Sequence, residues 1–233
     1  MPCGRISIPE MSRQLSFDWP PRVTFGADAY FVSDANRAAF ELVTSPDRWP
    51  QRRLVLAGPQ GAGKTHLARL YADRFGARVL DGPAISGAAP LPTARKVVIE
   101  DADRLRPAAE EWLFHLHNSL DAAQGTLLLT ARSAPARWTL ALPDLRSRLE
   151  AIAVARIDDP DDTLLAAVLM KLFEDRQIAP DPRLVPWLLP RMKRSFEAAQ
   201  DIVARLDAAS LESRRPVTIP LARATLDLDG EHG

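Results

Sequence analysis

The sequence predicts an α/β fold, a parallel five-stranded sheet between helices, followed by a small C-terminal helical lid. Three observations carry this. Short apolar runs of strand type alternate with longer helical patterns, the mark of βαβ units. The central runs are continuously apolar, as strands covered on both faces must be. Residues 58–65 read Gly-Pro-Gln-Gly-Ala-Gly-Lys-Thr, a complete G-x-x-x-x-G-K-[ST] loop. It sits between the strand-type run Arg53-Leu54-Val55-Leu56-Ala57 and a helical run opening at His66.

Each element follows in order. A helix is expected around Asn36–Val43, a strand at Leu54–Ala57 and a helix at Lys64–Phe75, closed by Gly76. Arg78–Asp81 reads as a short strand and Gly82–Thr93 as a loop. Lys96-Val97-Val98-Ile99-Glu100-Asp101 is a strand running into acid. Ala108–Leu120 follows as a helix with a core stripe of Trp112, Leu113, Leu116 and Leu120. Thr126–Thr130 is a fourth strand and Ala151–Ile157 a fifth. Asp158-Asp159-Pro160 is a helix-start signal that marks a boundary. Beyond it the pattern is helical: Asp161–Arg176, Asp181–Leu189 and Ser195–Ser213. A β-like Val217-Thr218-Ile219 and a last helix near Leu221–Leu226 complete it. The expected organisation is a tail at 1–22, a nucleotide-binding domain at 23–157 and a helical lid at 158–233.

Composition narrows the function classes. At 233 residues and 46% hydrophobic, the chain can bury one sizeable core with a small second unit. Thirty basic residues balance thirty acidic ones, so a strongly basic nucleic-acid footprint is absent. One cysteine, Cys3, excludes a disulfide framework and a thiolate cluster and fits a reducing, cytoplasmic setting. No apolar stretch approaches the ~20 residues of a membrane span, and the N-terminus lacks the order of a signal peptide. His66, His115 and His117 stand at no metal-ligand spacing and read as structural or solvated.

The loop chemistry is specific. Gly58, Gly61 and Gly63 let backbone N–H groups turn toward phosphate oxygens, and the following helix points its positive end at the same anion. Pro59, Gln60, Ala62 and His66 complete the cradle. Lys64 can reach the β- and γ-phosphates, and the Thr65 hydroxyl can ligate Mg²⁺. Glu100 and Asp101 end an apolar strand, where one carboxylate serves the metal and the next polarises water. By position Glu100 is the metal-side residue and Asp101 the water-side one. Glutamate is one methylene longer than the usual aspartate, and Mg²⁺ demands near-ideal octahedral geometry. Nucleotide binding with slow or absent hydrolysis is therefore expected. Thr130 closes the fourth strand, where it can touch the γ-phosphate or cap a turn. Arg146 and Arg148 point differently, one free to pack and one to project; alone, the pair reads as surface cations.

Taken together, these segments resemble the AAA+ ATPases of the DnaA branch, nearest to the Hda type, short homologues that regulate the initiator. Phe31-Val32-Ser33-Asp34-Ala35-Asn36 is similar to the box beside the adenine, and residues 58–67 to the Walker A segment. Leu142-Pro143-Asp144-Leu145-Arg146-Ser147-Arg148-Leu149 resembles the arginine-finger box, with Arg148 at the finger position. Arg215-Pro216-Val217-Thr218-Ile219-Pro220 resembles the lid's closing segment. The likeness runs from about Phe25 to Leu226. It implies ATP or ADP with Mg²⁺ as cofactors, with Asn36 and the loop on the nucleotide. Where initiators carry a nucleotide-sensing lid arginine, this sequence has Glu197, and Arg194, one turn earlier, is the expected substitute.

The resemblance also implies partners. Gln14-Leu15-Ser16-Phe17-Asp18-Trp19 resembles the short peptides that dock on the bacterial sliding clamp, with Gln14, Leu15, Phe17 and Trp19 as anchors. The chain ends with the lid, leaving no room for an initiator's DNA-binding domain, so DNA is expected only through the clamp. The implied function is regulation of replication initiation: docked on the clamp, the chain stimulates ATP hydrolysis by the initiator DnaA through Arg148. The family also leaves room for self-assembly. Two rival expectations stand beside it, an ATP-driven helicase loader or motor and a non-catalytic clamp adaptor.

Overall fold

A computed structural model describes residues 30–226, so the tail anchors Gln14, Leu15, Phe17 and Trp19 lie outside the described residues. Five parallel strands form one sheet: β1 (Arg53–Ala57), β2 (Arg78–Asp81), β3 (Lys96–Glu100), β4 (Thr126–Ala131) and β5 (Ala153–Arg156). Their order is β2-β3-β4-β1-β5. The register sets Leu54 opposite Leu128 and Val97 opposite Leu127. The central three strands bury nearly every side chain, which is why they read as unbroken apolar runs; β2 at the edge is half-exposed.

Helices cover both faces. On one, α1 (Arg37–Val43) and α2 (Lys64–Phe75) pack Ala39, Val43, Leu67 and Tyr71 against Leu54, Leu56, Val98 and Leu128. On the other, α3 (Glu110–Ala122) and α4 (Pro143–Glu150) pack Trp112, Leu113, Leu116, Leu145 and Leu149 against Val55, Val97, Ile99 and Leu129. The odd and even residues of each strand thus serve two separate cores. The chain crosses from β1 through α2 to β2 on one side and from β4 through α4 to β5 on the other. The carboxyl ends of β1 and β4 are therefore a switch point, where open α/β sheets take their ligands.

A third core gathers Leu165, Leu169, Phe173, Leu188, Ile202, Val203 and Leu206 from α5 (Asp162–Asp175), α6 (Leu184–Leu188), α7 (Phe196–Ser213) and α8 (Ile219–Thr225). Two side-chain caps start its long helices. Asp161 accepts from Leu164 N at 2.7 Å, and Ser195 Oγ accepts from Ala198 N at 3.1 Å. Leu164 and Phe196 belong instead to the core beneath α1 and α2, so this lid rests on the sheet domain through its own first turns.

Some boundaries differ from the sequence expectation. Val217-Thr218-Ile219 is not a strand. Thr218 is the extended residue before α8, and Val217 O accepts from Asp181 N at 3.0 Å as an isolated link. The fifth strand starts at Ala153 because α4 runs through Glu150 and Ala151 still caps it. No helix among the described residues is long and apolar enough to cross a membrane.

Candidate functional site

The site grows from the turn after β1. Gly61 and Gly63 both hold φ +81°, a conformation that a side chain would strain. Gly63 is the N-cap of α2, a twelve-residue helix whose positive end opens onto the loop. Lys64 is 8% exposed, and its Nζ donates to Gly58 O at 2.9 Å and Pro59 O at 2.8 Å. An ammonium has three donors, so one remains for a ligand. Burial pulls the Lys64 amine below its ordinary range, while Asp101 and Asp103 act to keep it charged. The two loop carbonyls aim the cation before any anion arrives.

Beside it, the end of β3 carries the carboxylates Glu100 and Asp101, and the end of β4 carries Thr130. The Glu100 carboxyl is raised above its usual range chiefly by burial, with Arg69 and the nearby Thr65 hydroxyl opposing. Glu100 Oε1 is buried without a hydrogen-bond partner among the described residues. A hydroxyl and a buried carboxylate oxygen lacking a partner form an oxygen donor set suited to Mg²⁺. Asp101 adopts a left-handed backbone, φ 50° and ψ 46°, which aspartate tolerates. Its N–H donates to Thr130 Oγ1 at 3.0 Å, and its Oδ2 pairs with Arg104 at 3.3 Å.

Lys64, Thr65 and Asp101 share one cleft of about 1110 Å³, whose walls also include Arg69, Arg132 and Lys171, while Glu100 and Thr130 lie behind its walls. Gln60, Gly61, Gly63 and His66 also face it. A smaller hollow of about 180 Å³ lies between the loop and the lid, walled by Tyr30, Ala62, His66, Leu164, Val168 and Phe196. Tyr30 stacks on Phe40 at 5.7 Å and meets His66 edge-on at 5.5 Å. Burial pushes the Tyr30 phenol up to about 12, with Asn36 acting the other way. Asn36 lines this hollow, but its side chain is committed to the backbone. Oδ1 accepts from Ser33 N and Nδ2 donates to Phe31 O, both at 2.8 Å. It shapes the segment that presents Tyr30.

The arginine box is fixed from beneath. Glu110, 3% exposed at the start of α3, accepts from Ala141 N at 3.0 Å and Leu142 N at 2.7 Å. Those bonds set the entrance to α4. Arg146 turns back to Leu140 O, while Arg148 is exposed, its guanidinium 5.0 Å from the Phe114 ring centre.

Residues 162–226 match the family described as Hda, lid domain. A chromosomal replication initiator protein DnaA of Cutibacterium acnes is 23% identical over 232 residues, 88% of this chain and 46% of the initiator. The chain is thus similar to DnaA-related AAA+ proteins, and its C-terminal helices to the lid of Hda. Domain III of Thermotoga maritima DnaA superposes with a TM-score of 0.69 at 16% identity, over 85% of this chain and 93% of that one. An uncharacterized protein of Haemophilus influenzae is 28% identical over 184 residues, 73% of this chain and 80% of its own length. The chain thus spans under half of the initiator it matches.

The Hda-like lid departs from the sequence reading at its charges. Arg194 is paired with Asp162 at 3.0 Å and lines neither cavity; nor does Glu197. The part of α7 against the loop is uncharged. A Cβ added at Gly61 would meet Gln200 Nε2 at 2.7 Å and Phe196 Cβ at 3.0 Å. The cation that the lid does turn toward both cavities is Lys171 on α5. Its signal was in the spacing: Leu164, Ala167, Val168 and Lys171 share one helix face, so a lysine ends an otherwise apolar stripe. Arg132 also lines the cleft, and its backbone N–H donates to Asp103 Oδ2 at 2.9 Å. Glu110 and Tyr30 carried no signal, since one buried acid and one aromatic match no motif.

Proposed function

We propose that this chain is an adenine-nucleotide-binding regulator of replication initiation that stimulates ATP hydrolysis in the initiator DnaA through Arg148. The observation that carries it is the pairing of an assembled phosphate site with an exposed Arg148 on a braced helix, in a chain with an Hda-type lid. Lys64, the Gly58–Thr65 backbone and the α2 N-terminus would hold the phosphates, with the hollow at Tyr30, Ala62 and His66 for the base. Thr65 and Glu100 would hold Mg²⁺, which when bound neutralises phosphate charge. Asp101 would orient water, with its backbone pinned by Thr130. Glu100 stands where aspartate is usual, so turnover by this chain alone is slow, and nucleotide serves to set its shape.

Arg148 would work in trans. A guanidinium placed on a neighbour's γ-phosphate stabilises charge in the transition state, worth ~10³–10⁵ in rate. Glu110 holds the start of α4 so that Arg148 projects while Arg146 stays bound to Leu140 O. The tail peptide at Gln14, Leu15, Phe17 and Trp19 would tether the chain to the clamp on DNA. A short tether raises local concentration to about millimolar order. The setting is the cytoplasm.

The test is ATP hydrolysis by purified initiator with this chain, clamp and DNA, omitting each in turn. The proposal expects stimulation that needs all three. Replacing Gln14 and Leu15 with alanine should remove clamp binding and leave the melting temperature unchanged. Hydrolysis of the order of 1 s⁻¹ by this chain alone would favour a motor instead.

A further inference from the structure

The lid covers the nucleotide cleft with a face of α5. Leu164, Ala167, Val168 and Lys171 lie on it at helical spacing, and all four line the small hollow beside Tyr30 and His66. Lys171 alone of the four also lines the larger cleft with Lys64, Thr65 and Arg132. It stands where the small hollow meets the larger cleft at the glycine-rich loop. The residues that sequence alone would favour are elsewhere, Arg194 on Asp162 and Glu197 outside both cavities.

We propose that Lys171 is the lid's phosphate-directed cation, taking the place that Glu197 and Arg194 leave empty, and that a bound adenine nucleotide draws it off Glu174 and Asp175. This rests on the nucleotide reading above. In the present state the ammonium pairs with Asp175 Oδ1 at 2.9 Å and Glu174 Oε2 at 3.7 Å, one helical turn on. The side chain is 38% exposed. A four-carbon stem with rotatable donors can exchange such half-solvated partners for a phosphate at small cost. The exchange gives the nucleotide a direct hold on α5, and α7 follows through their shared core at Leu165, Leu169, Ile202 and Val203. Lid position would then report the phosphates by a lysine on the first lid helix rather than by a residue on α7.

The experiment is calorimetric titration of the full-length chain with ATP, ADP and adenosine. Lys171→Ala should weaken ATP and ADP by on the order of tenfold and leave adenosine unchanged, since only the phosphates are contacted. Lys171→Arg should restore most of the loss. Glu174→Gln with Asp175→Asn should tighten both nucleotides, because the competing carboxylates are gone. Arg194→Ala should stay within about twofold of wild type. Equal ADP affinity in wild type and Lys171→Ala would overturn the inference while leaving the nucleotide reading intact. So would a comparable loss of adenosine, which would mark Lys171 as packing only. A wild type that binds no nucleotide, indistinguishable from Lys64→Ala, would overturn the underlying reading and this inference together.

Discussion

The backbone N–H of Asp101 donates to the hydroxyl of Thr130 at 3.0 Å, joining the carboxyl ends of two neighbouring strands. Asp101 leaves β3 in a left-handed conformation, and the bond ties to β4 a turn that Arg104 N also closes on Asp101 O at 2.9 Å. Thr130 is 1% exposed. Thr130→Val keeps the shape and removes the acceptor. It should cost about 1 kcal/mol in denaturant unfolding, the low end of the penalty for an unpaired donor, because this one is part-buried. Thr130→Ser should retain most of the stability.

Lys64→Ala should abolish most adenine-nucleotide binding and leave the fold. The ammonium is the cation at the centre of the loop and keeps one donor beyond the two carbonyls. Calorimetry reads the loss, and circular dichroism should show unchanged helix content.

At the opposite end of the sheet, Arg53 is buried at the start of β1. It bonds Asp121 Oδ1 at 2.6 Å and Gly125 O at 2.8 Å. Asp121→Ala would strand a buried guanidinium. Loss of one partner of a buried pair costs about 3–5 kcal/mol. Asp121 is 48% exposed, so water will soften the loss to the low end of that range. Urea unfolding at neutral pH measures it.

His117 beside that pair makes stability depend on pH. Burial, and then the Arg53 charge, push its imidazole below the ordinary range despite Asp121. The folded state therefore holds His117 neutral where the unfolded chain takes up a proton. Stability from this group is complete above the unfolded value of about 6.5 and is lost as pH falls through the lower folded value. The melting temperature should drop between pH 7 and 5, and His117→Gln should flatten that part of the curve.

The sheet was legible in the sequence because doubly buried parallel strands must be apolar throughout, as Leu54–Ala57 and Val97–Ile99 are. The turn between β1 and α2 was legible because its fixed glycines answer to a single geometry. The lid charges were not. Glu197 and Arg194 occupy the expected places in a linear comparison, but helix packing sends Arg194 to Asp162 and brings Lys171 over the cleft. Which face of α5 meets the sheet domain depends on Leu164 and Phe196 docking beside α2, a tertiary fact. The supports of Arg148 were hidden likewise. Glu110 precedes it by 38 positions, and Phe114, 5.0 Å from the guanidinium, shows no pattern beyond its helix.

The central claim is that Arg148 acts on the nucleotide of another molecule, and single-turnover hydrolysis of ATP-bound initiator on clamp-loaded DNA tests it most directly. Wild type and Arg148→Ala would be compared at matched clamp occupancy and matched nucleotide binding. Arg148 is exposed and its cation–π contact with Phe114 is worth only about 0.5–1 kcal/mol, so the variant should fold normally. The account predicts strong acceleration by wild type and a fall of the order of 10³ with Arg148→Ala, close to the initiator's own rate. Arg146→Ala, which loses only the link to Leu140 O, should be milder. Equal acceleration by wild type and Arg148→Ala would contradict the account and leave a chain that recruits without catalysing.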